Sequence, residues 1–426
     1  LVIAVALVLA AVVGIRQHPS RPTGSAAGSV DQASVTRADG REDTVGAMLT
    51  RRADALRTKD RAAFLDTVDA ADPQFRTAET TWFDNQSVVP FDTWSLSLAG
   101  RSVAGIPPAA TAAVKRIAAG TFAGVVEASY RISGYDNAPQ RYERVLTFTP
   151  RHGRWLVSGS FDPAGVPAHR ELWDVGQVHA LGSDHGLILG LEPTEELRTY
   201  AREVDREVPL VKAVWGPDWA GRVLVEVTRT EDEMAVLLGG VPASYRQLAA
   251  VTRGELGITE TTVAAERIIV NPKAYGELSD VGRQVIMGHE ITHVASRAST
   301  QSWTPRWLAE GLADYVGYSD SGLSTRIIAQ ELAADVKHGL VPAALPSDEA
   351  FAATNANLAQ SYEMSWLACR MIAERYGGAG RLVAFYRAVG GPGGLAEVNR
   401  AFREVLSTTP EQFVEAWRGY VKQELG

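Results

Sequence analysis

Hydrophobic and polar positions change their rhythm several times along this chain. Leu1 to Ile15 are almost wholly apolar and uncharged. Such a run reads as most of a membrane span, which takes about 20 residues, or as a signal-peptide core. The chain begins without methionine, so its natural start is expected upstream, and Val12-Val-Gly-Ile-Arg-Gln-His offers no small-x-small cleavage site. An uncleaved anchor is therefore expected at 1–15. It would make this a single-pass protein of the cell membrane, with its bulk outside the cytoplasm and its orientation weakly set by Arg16 and Arg21. Residues 16–43 show no apolar periodicity and are rich in Ser, Gly, Ala, Pro and charge, a composition suited to a disordered tether.

From Thr44 a helical spacing begins, with Val45, Met48, Leu49, Ala53 and Leu56, then Ala63, Phe64 and Val68. Alternating runs follow: Thr93-Trp-Ser-Leu-Ser-Leu, Gly124 to Ile132, Arg144 to Thr149 and Arg154 to Phe161. Period-two alternation punctuated by Gly and Pro predicts strands. Residues 44–162 are thus expected to form a small α+β domain, a long helix followed by a curled antiparallel sheet. In pattern alone it resembles the cone-shaped fold of the nuclear transport factor and ketosteroid isomerase type. Trp94, Tyr130 and Trp155 are expected in its core, and no chemistry is assigned to it.

Asp162-Pro-Ala-Gly-Val-Pro reads as a linker to a second domain over 175–426. Short strands are expected at Gly186–Leu191, Arg222–Val227 and Glu266–Asn271, with helices from Thr194 to about Val208 and from near Thr230. A further helix should be capped by Ser279 or Asp280. Beyond Thr304 the pattern is nearly all helical. Strands first and helices afterwards describe an α+β domain, not a doubly wound sheet.

Composition changes this picture little. The chain has 426 residues, 46% hydrophobic and 22% charged, with net charge −8. Mild acidity argues against nucleic acid as a partner, which calls for a basic face. The single cysteine, Cys369, excludes an intrachain disulfide and a cysteine-rich metal cluster. It sits in an apolar helical run and is expected to be a buried, inert thiol.

The chemistry lies in His289-Glu290-Ile291-Thr292-His293. Two histidines four apart share one helical face, so both imidazoles can reach one metal ion. Glu290 then projects near an open coordination position, where it can take a proton from water. A catalytic zinc site needs a third protein ligand. A metzincin completion would place a glycine at 296 and a histidine at 299, and Ser296 and Ser299 stand there instead. Thr304-Pro-Arg-Trp-Leu-Ala-Glu-Gly-Leu-Ala-Asp-Tyr offers a second helix, opened by Thr304 as cap, with Glu310 and Asp314 on one face. Either carboxylate could be the ligand; the longer reach of glutamate favours Glu310, leaving Asp314 to accept a hydrogen bond from a ligand histidine. His179, His185 and His338 are expected at the surface or in local structure.

Together, His289-Glu290-x-x-His293 and Trp307-Leu-Ala-Glu310-Gly-Leu-Ala-Asp314-Tyr resemble the gluzincin metallopeptidases, the thermolysin-like clan, over roughly residues 180–426. The resemblance implies one zinc ion held by His289, His293 and Glu310, with Glu290 as general base and Asp314 supporting a ligand. It also implies hydrolysis of a peptide or protein substrate. Tyr362, in Gln360-Ser-Tyr-Glu-Met-Ser-Trp, is a candidate donor to the oxyanion, with a packing role as its alternative. In this clan the strand before the active helix, here Arg267-Ile-Ile-Val, pairs with extended peptide. Two features depart from the larger aminopeptidases: no Asn precedes Glu310, and the Gly-x-Met-Glu-Asn motif is missing. That puts aminopeptidase specificity in doubt. A non-catalytic zinc-containing binding protein, or a zinc hydrolase of other amides or esters, remains compatible with the same residues.

Overall fold

The computed structural model describes residues 44–100, 105–165, 170–242, 245, 248–253, 266–352 and 354–426. The apolar segment 1–15 and the tether 16–43 lie outside them. The described chain is α+β, an antiparallel sheet with its helices followed by a mixed sheet and a helical C-terminal half.

The first part opens with α1 (Val45–Thr58), whose cap Thr44 accepts from the amide of Ala47 at 3.1 Å. Val45, Met48, Leu49, Ala53 and Leu56 are buried, which is the apolar stripe read from the sequence. Next come α2 (Arg61–Leu65), α3 (Pro73–Gln86) and α4 (Pro108–Ile117). Strands β1 (Phe91–Gly100), β2 (Phe122–Ile132), β3 (Gln140–Arg151) and β4 (Arg154–Phe161) pair antiparallel in sequence order. Trp94, Tyr130 and Trp155 are buried, as expected. The helix α3 has no counterpart in the sequence reading, because its stretch is mostly polar and its apolar stripe is thin. Its start signal was nevertheless present: the carboxylate of Asp72 accepts from the amides of Gln74 and Phe75, and Pro73 takes the first helical position.

After α5 (Leu172–Val175), strands β5 (His179–Gly182), β6 (Gly186–Gly190), β7 (Val223–Val227), β8 (Ala250–Thr252) and β9 (Arg267–Val270) form the second sheet, in the order β5-β6-β7-β9-β8. The central strands β6, β7 and β9 are parallel, whereas β5 and β8 run antiparallel at the outside. This corrects one expectation. The strand Arg267–Val270 is bonded on both sides, by β7 and β8, so its ladder is already used; among the described residues β8 is the outer strand on that side of the sheet.

Helix α6 (Thr194–Trp215) also differs from its sequence reading, which ended it near Val208. Pro209 lies inside it, and the helix continues because Val208, Val211 and Trp215 are all buried in the main core. Helices α7 (Glu231–Leu238) and α8 (Pro272–Gly276) lead to α9 (Asp280–Ser296) and α10 (Arg306–Gly317). Then follow α11 (Thr325–Ile328), α12 (Gln330–Lys337), α13 (Leu358–Tyr376), α14 (Ala379–Val389), α15 (Ala396–Glu404) and α16 (Pro410–Leu425).

The two sheets share apolar packing. One buried cluster runs from Phe64, Trp94 and Tyr130 through Trp173 to Leu187, Leu224 and Ile269. At its centre the fully buried Arg267 guanidinium lies 2.7 Å from Glu171, 3.2 Å from Glu226 and 3.7 Å from Asp136. Asp162, within the expected linker, pairs with Arg144 and Arg170.

The expectation of a single-pass membrane protein is corrected. Among the described residues no helix is long and apolar enough to cross a membrane. The longest, α6, spans 22 residues but carries charges along its length, including Glu195, Glu196, Glu203 and Lys212. The anchor read at 1–15 falls outside the described residues.

Candidate metal centre

The site is built by two helices, α9 and α10, packed against each other through glycines. Ser279 caps α9 by accepting from the amide of Gly282 at 3.1 Å, and the helix then runs unbroken through residues 289–293. In α10 the glycines set the spacing. A methyl group on Gly317 would sit 2.7 Å from the carbonyl oxygen of Val285 on α9, and one on Gly311 would collide with the carbonyl of Ser365 on α13. Gly288 meets Gly317 in the same way, with the Cα of Gly317 3.3 Å from where a Cβ would lie. Small residues at these crossings let α9, α10 and α13 approach closely, which brings Glu310 within reach of the histidines.

The cap of α10 differs from its sequence reading. Thr304 does not cap the helix; its hydroxyl accepts from the amide of Gln301, closing a tight turn. The helix starts at Arg306, and the amide of Arg306 donates instead to the Asp348 carboxylate at 2.9 Å. A distant carboxylate thus supplies the cap.

His289, His293 and Glu310 are all buried and converge as a cluster that could hold a metal ion. The two Nε2 atoms are 3.0 Å apart, and Oε2 of Glu310 lies 3.4 Å from that of His289 and 3.5 Å from that of His293. Tetrahedral zinc with ligand distances of about 2.0–2.2 Å requires donor separations of about 3.3 Å. The three edges, 3.0, 3.4 and 3.5 Å, bracket that figure. Oε2 of Glu310 is buried and has no hydrogen-bond partner, which fits an oxygen reserved for a cation. The Arg306 guanidinium stands 4.0 Å from the other oxygen, Oε1.

The remaining residues sit around this cluster. Nδ1 of His289 is 2.8 Å from Oδ1 of Asp314, which leaves Nε2 pointing at the other donors. Burial works against a charge on His289, but the Asp314 and Glu310 carboxylates outweigh it and raise its pKa well above the usual imidazole range. Burial likewise pushes against ionisation of Glu310, yet the two imidazoles hold its carboxyl below the usual range. Both shifts arise because buried imidazoles and carboxylates lie directly against one another. Glu290 is buried, and its Oε2 accepts from the hydroxyl of Thr252 at 2.7 Å. Tyr362 lies near the start of α13, buried, with its ring 6.4 Å from that of His289 and edge-on to Phe351.

Two neighbours had no place in the sequence reading. Arg306 is four residues before Glu310 on one helix, a spacing that could have flagged it. Thr252 comes from a three-residue strand 38 positions before Glu290 and carries no motif. Among the other histidines, His185 lies 3.3 Å from the carbonyl of Gly221, His179 opens β5, and His338 ends α12, all away from the cluster. Cys369 is buried, and burial pushes its thiol well above the usual range, so it is inert.

No protein-family profile and no curated protein matches the chain. Among solved structures, an M1 zinc metallopeptidase from Deinococcus radiodurans bound to a Tyr-Ser-Ala substrate is 14% identical, with a TM-score of 0.33, covering 69% of this chain and 60% of that one. A two-domain M1 zinc metallopeptidase bound to L-tryptophan is 15% identical, with a TM-score of 0.31, covering 70% and 61%. The chain thus spans less than two thirds of the length of either. Likeness at this level carries no conclusion about function, which has to come from the site itself.

Proposed function

We propose that this protein is a zinc-dependent hydrolase of peptide bonds. The observation that carries the reading is the set of donor separations among His289, His293 and Glu310, which fits three corners of a tetrahedron around zinc. Three protein ligands leave the fourth corner open, as a catalytic site requires and a structural site does not. Zinc bound there would lower the pKa of a water toward neutrality and polarise a carbonyl.

In this reading the chain's own residues divide the work. Asp314 accepts the Nδ1 proton of His289 and so presents Nε2 as a neutral donor. Arg306 balances the second oxygen of Glu310. Glu290 takes one proton from the attacking water as the new C–O bond forms. It returns that proton to the amine nitrogen as the C–N bond breaks, so atoms and charge balance across the step. Tyr362 would donate to the developing oxyanion. The burial of Glu290 favours this role, since it keeps bulk water away from the reacting groups.

The test compares wild type with Glu290→Gln for metal content and for cleavage of a peptide library. One zinc per chain is expected in both, with turnover reduced by at least about a thousandfold in the variant, two roles of about 10²–10⁴-fold being lost together. Equal cleavage by both proteins would remove Glu290 from the mechanism.

A further inference from the structure

The base assigned above does not stand alone. The carboxylate of Glu290 is enclosed, with the residue 1% exposed, and its Oε2 receives a hydrogen bond of 2.7 Å from Thr252, itself 2% exposed. Thr252 ends the outer strand β8, which packs along α9. A glutamate side chain has three rotatable bonds, and helix geometry fixes only its root. A donor from a different element is therefore needed to fix its tip. With Oε2 engaged by the hydroxyl, Oε1 is the oxygen left to exchange a proton.

The strand that carries Thr252 is itself pinned. Thr252 pairs with Ile268 of β9, and the amide of Arg253 donates to the carbonyl of Arg267 at 2.8 Å. The Arg253 guanidinium donates to Glu171 at 3.1 Å and to the carbonyls of Arg170 and Leu237. Glu171 also accepts from the hydroxyl of Tyr130 on β2, at 2.6 Å. The end of β8 is thus fastened to the first sheet of the molecule on one side of Thr252 and to the candidate base on the other.

We infer that Thr252 is the positioning residue for Glu290, holding its carboxylate with Oε1 free while Arg253 and Glu171 hold the strand in place. The inference rests on the reading of Glu290 as general base, and it concerns orientation, not metal binding. Thr252→Val keeps the shape and removes the donor; Thr252→Ser keeps the donor. Both variants should retain one zinc per chain. The valine variant should lose 10- to 100-fold in kcat with KM within about twofold, and serine should restore kcat to within about threefold. Crystal structures of both variants supply a reading that does not need turnover: the Glu290 carboxylate is expected to swing away from its wild-type position in the valine variant and to keep it in the serine variant. Should Thr252→Val fail to fold, Thr252→Ala carries the same comparison. A valine or alanine variant with unchanged kcat and an unmoved Glu290 overturns the inference. A wild type that cleaves no peptide overturns the proposed function instead, and the crystallographic arm then still decides whether Thr252 orients Glu290.

Discussion

At the scale of single residues, Glu310 and Asp314 divide one task between them, and the division is testable. Glu310 reaches both imidazoles, whereas Asp314 contacts only Nδ1 of His289, the nitrogen that faces away from the cluster. Glu310→Ala removes one of three donors and is expected to abolish zinc retention on dialysis. Asp314→Ala leaves the donors in place and should weaken zinc binding only 10- to 100-fold, as measured by competition with a chromophoric chelator. The reverse order would make Asp314 the ligand. Both candidates were legible in the sequence as two carboxylates on one helical face, since their order along a helix follows from spacing alone. Which of them touches the metal depends on how far apart two helices pack, and spacing does not contain that.

At the scale of elements, the closeness of α9, α10 and α13 is set by glycines. Gly311 has no room for a methyl group against the Ser365 carbonyl, which is backbone and cannot swing aside. Gly311→Ala is therefore expected to cost about 1–3 kcal/mol by overpacking, in spite of alanine's better helix propensity. Urea denaturation checks this, and a stabilised variant would show that the helices can separate without penalty. The same elements show what sequence patterning carries. Helix α9, β2, β4 and β7 stand where their periodicity put them, because their apolar residues are the ones buried in the cores. Helix α3 escaped because most of its residues are polar, and α6 was ended too early because its buried Val211 and Trp215 outweigh the break that Pro209 would otherwise cause. The placement of β9 between two neighbours is a matter of sheet order, and a run of three apolar residues after Arg267 is silent about that.

At the scale of the whole molecule, a buried charge cluster sits where the two sheets meet. Two guanidinium groups, Arg253 and Arg267, face three carboxylates, Glu171, Glu226 and Asp136. One carboxylate is in excess. Asp136 is the farthest from Arg267, and burial raises its pKa from 3.8 to about 6 against the pull of that arginine. A carboxyl raised on folding binds its proton more tightly in the folded state. Its contribution to stability is therefore greatest below the ordinary aspartate range and is lost as pH rises from about 4 through 6. The difference amounts to roughly 3 kcal/mol, as an order of magnitude. Asp136→Asn mimics the protonated group, and thermal unfolding of that variant should show a shallower decline than wild type between pH 4 and 6.5, the remainder belonging to other buried carboxyls raised by burial, such as Glu363. An unchanged slope would place the excess proton elsewhere in the cluster.

The central claim is that His289, His293 and Glu310 hold one zinc ion with a position left open. X-ray absorption at the zinc edge of the purified protein tests it most directly. The expected spectrum has two imidazole nitrogens and light oxygen donors at about 2.0–2.2 Å, with no sulfur shell, and it collapses to that of free zinc in Glu310→Ala. A protein that takes up no zinc, or one whose zinc environment is unaltered by Glu310→Ala, would contradict the account.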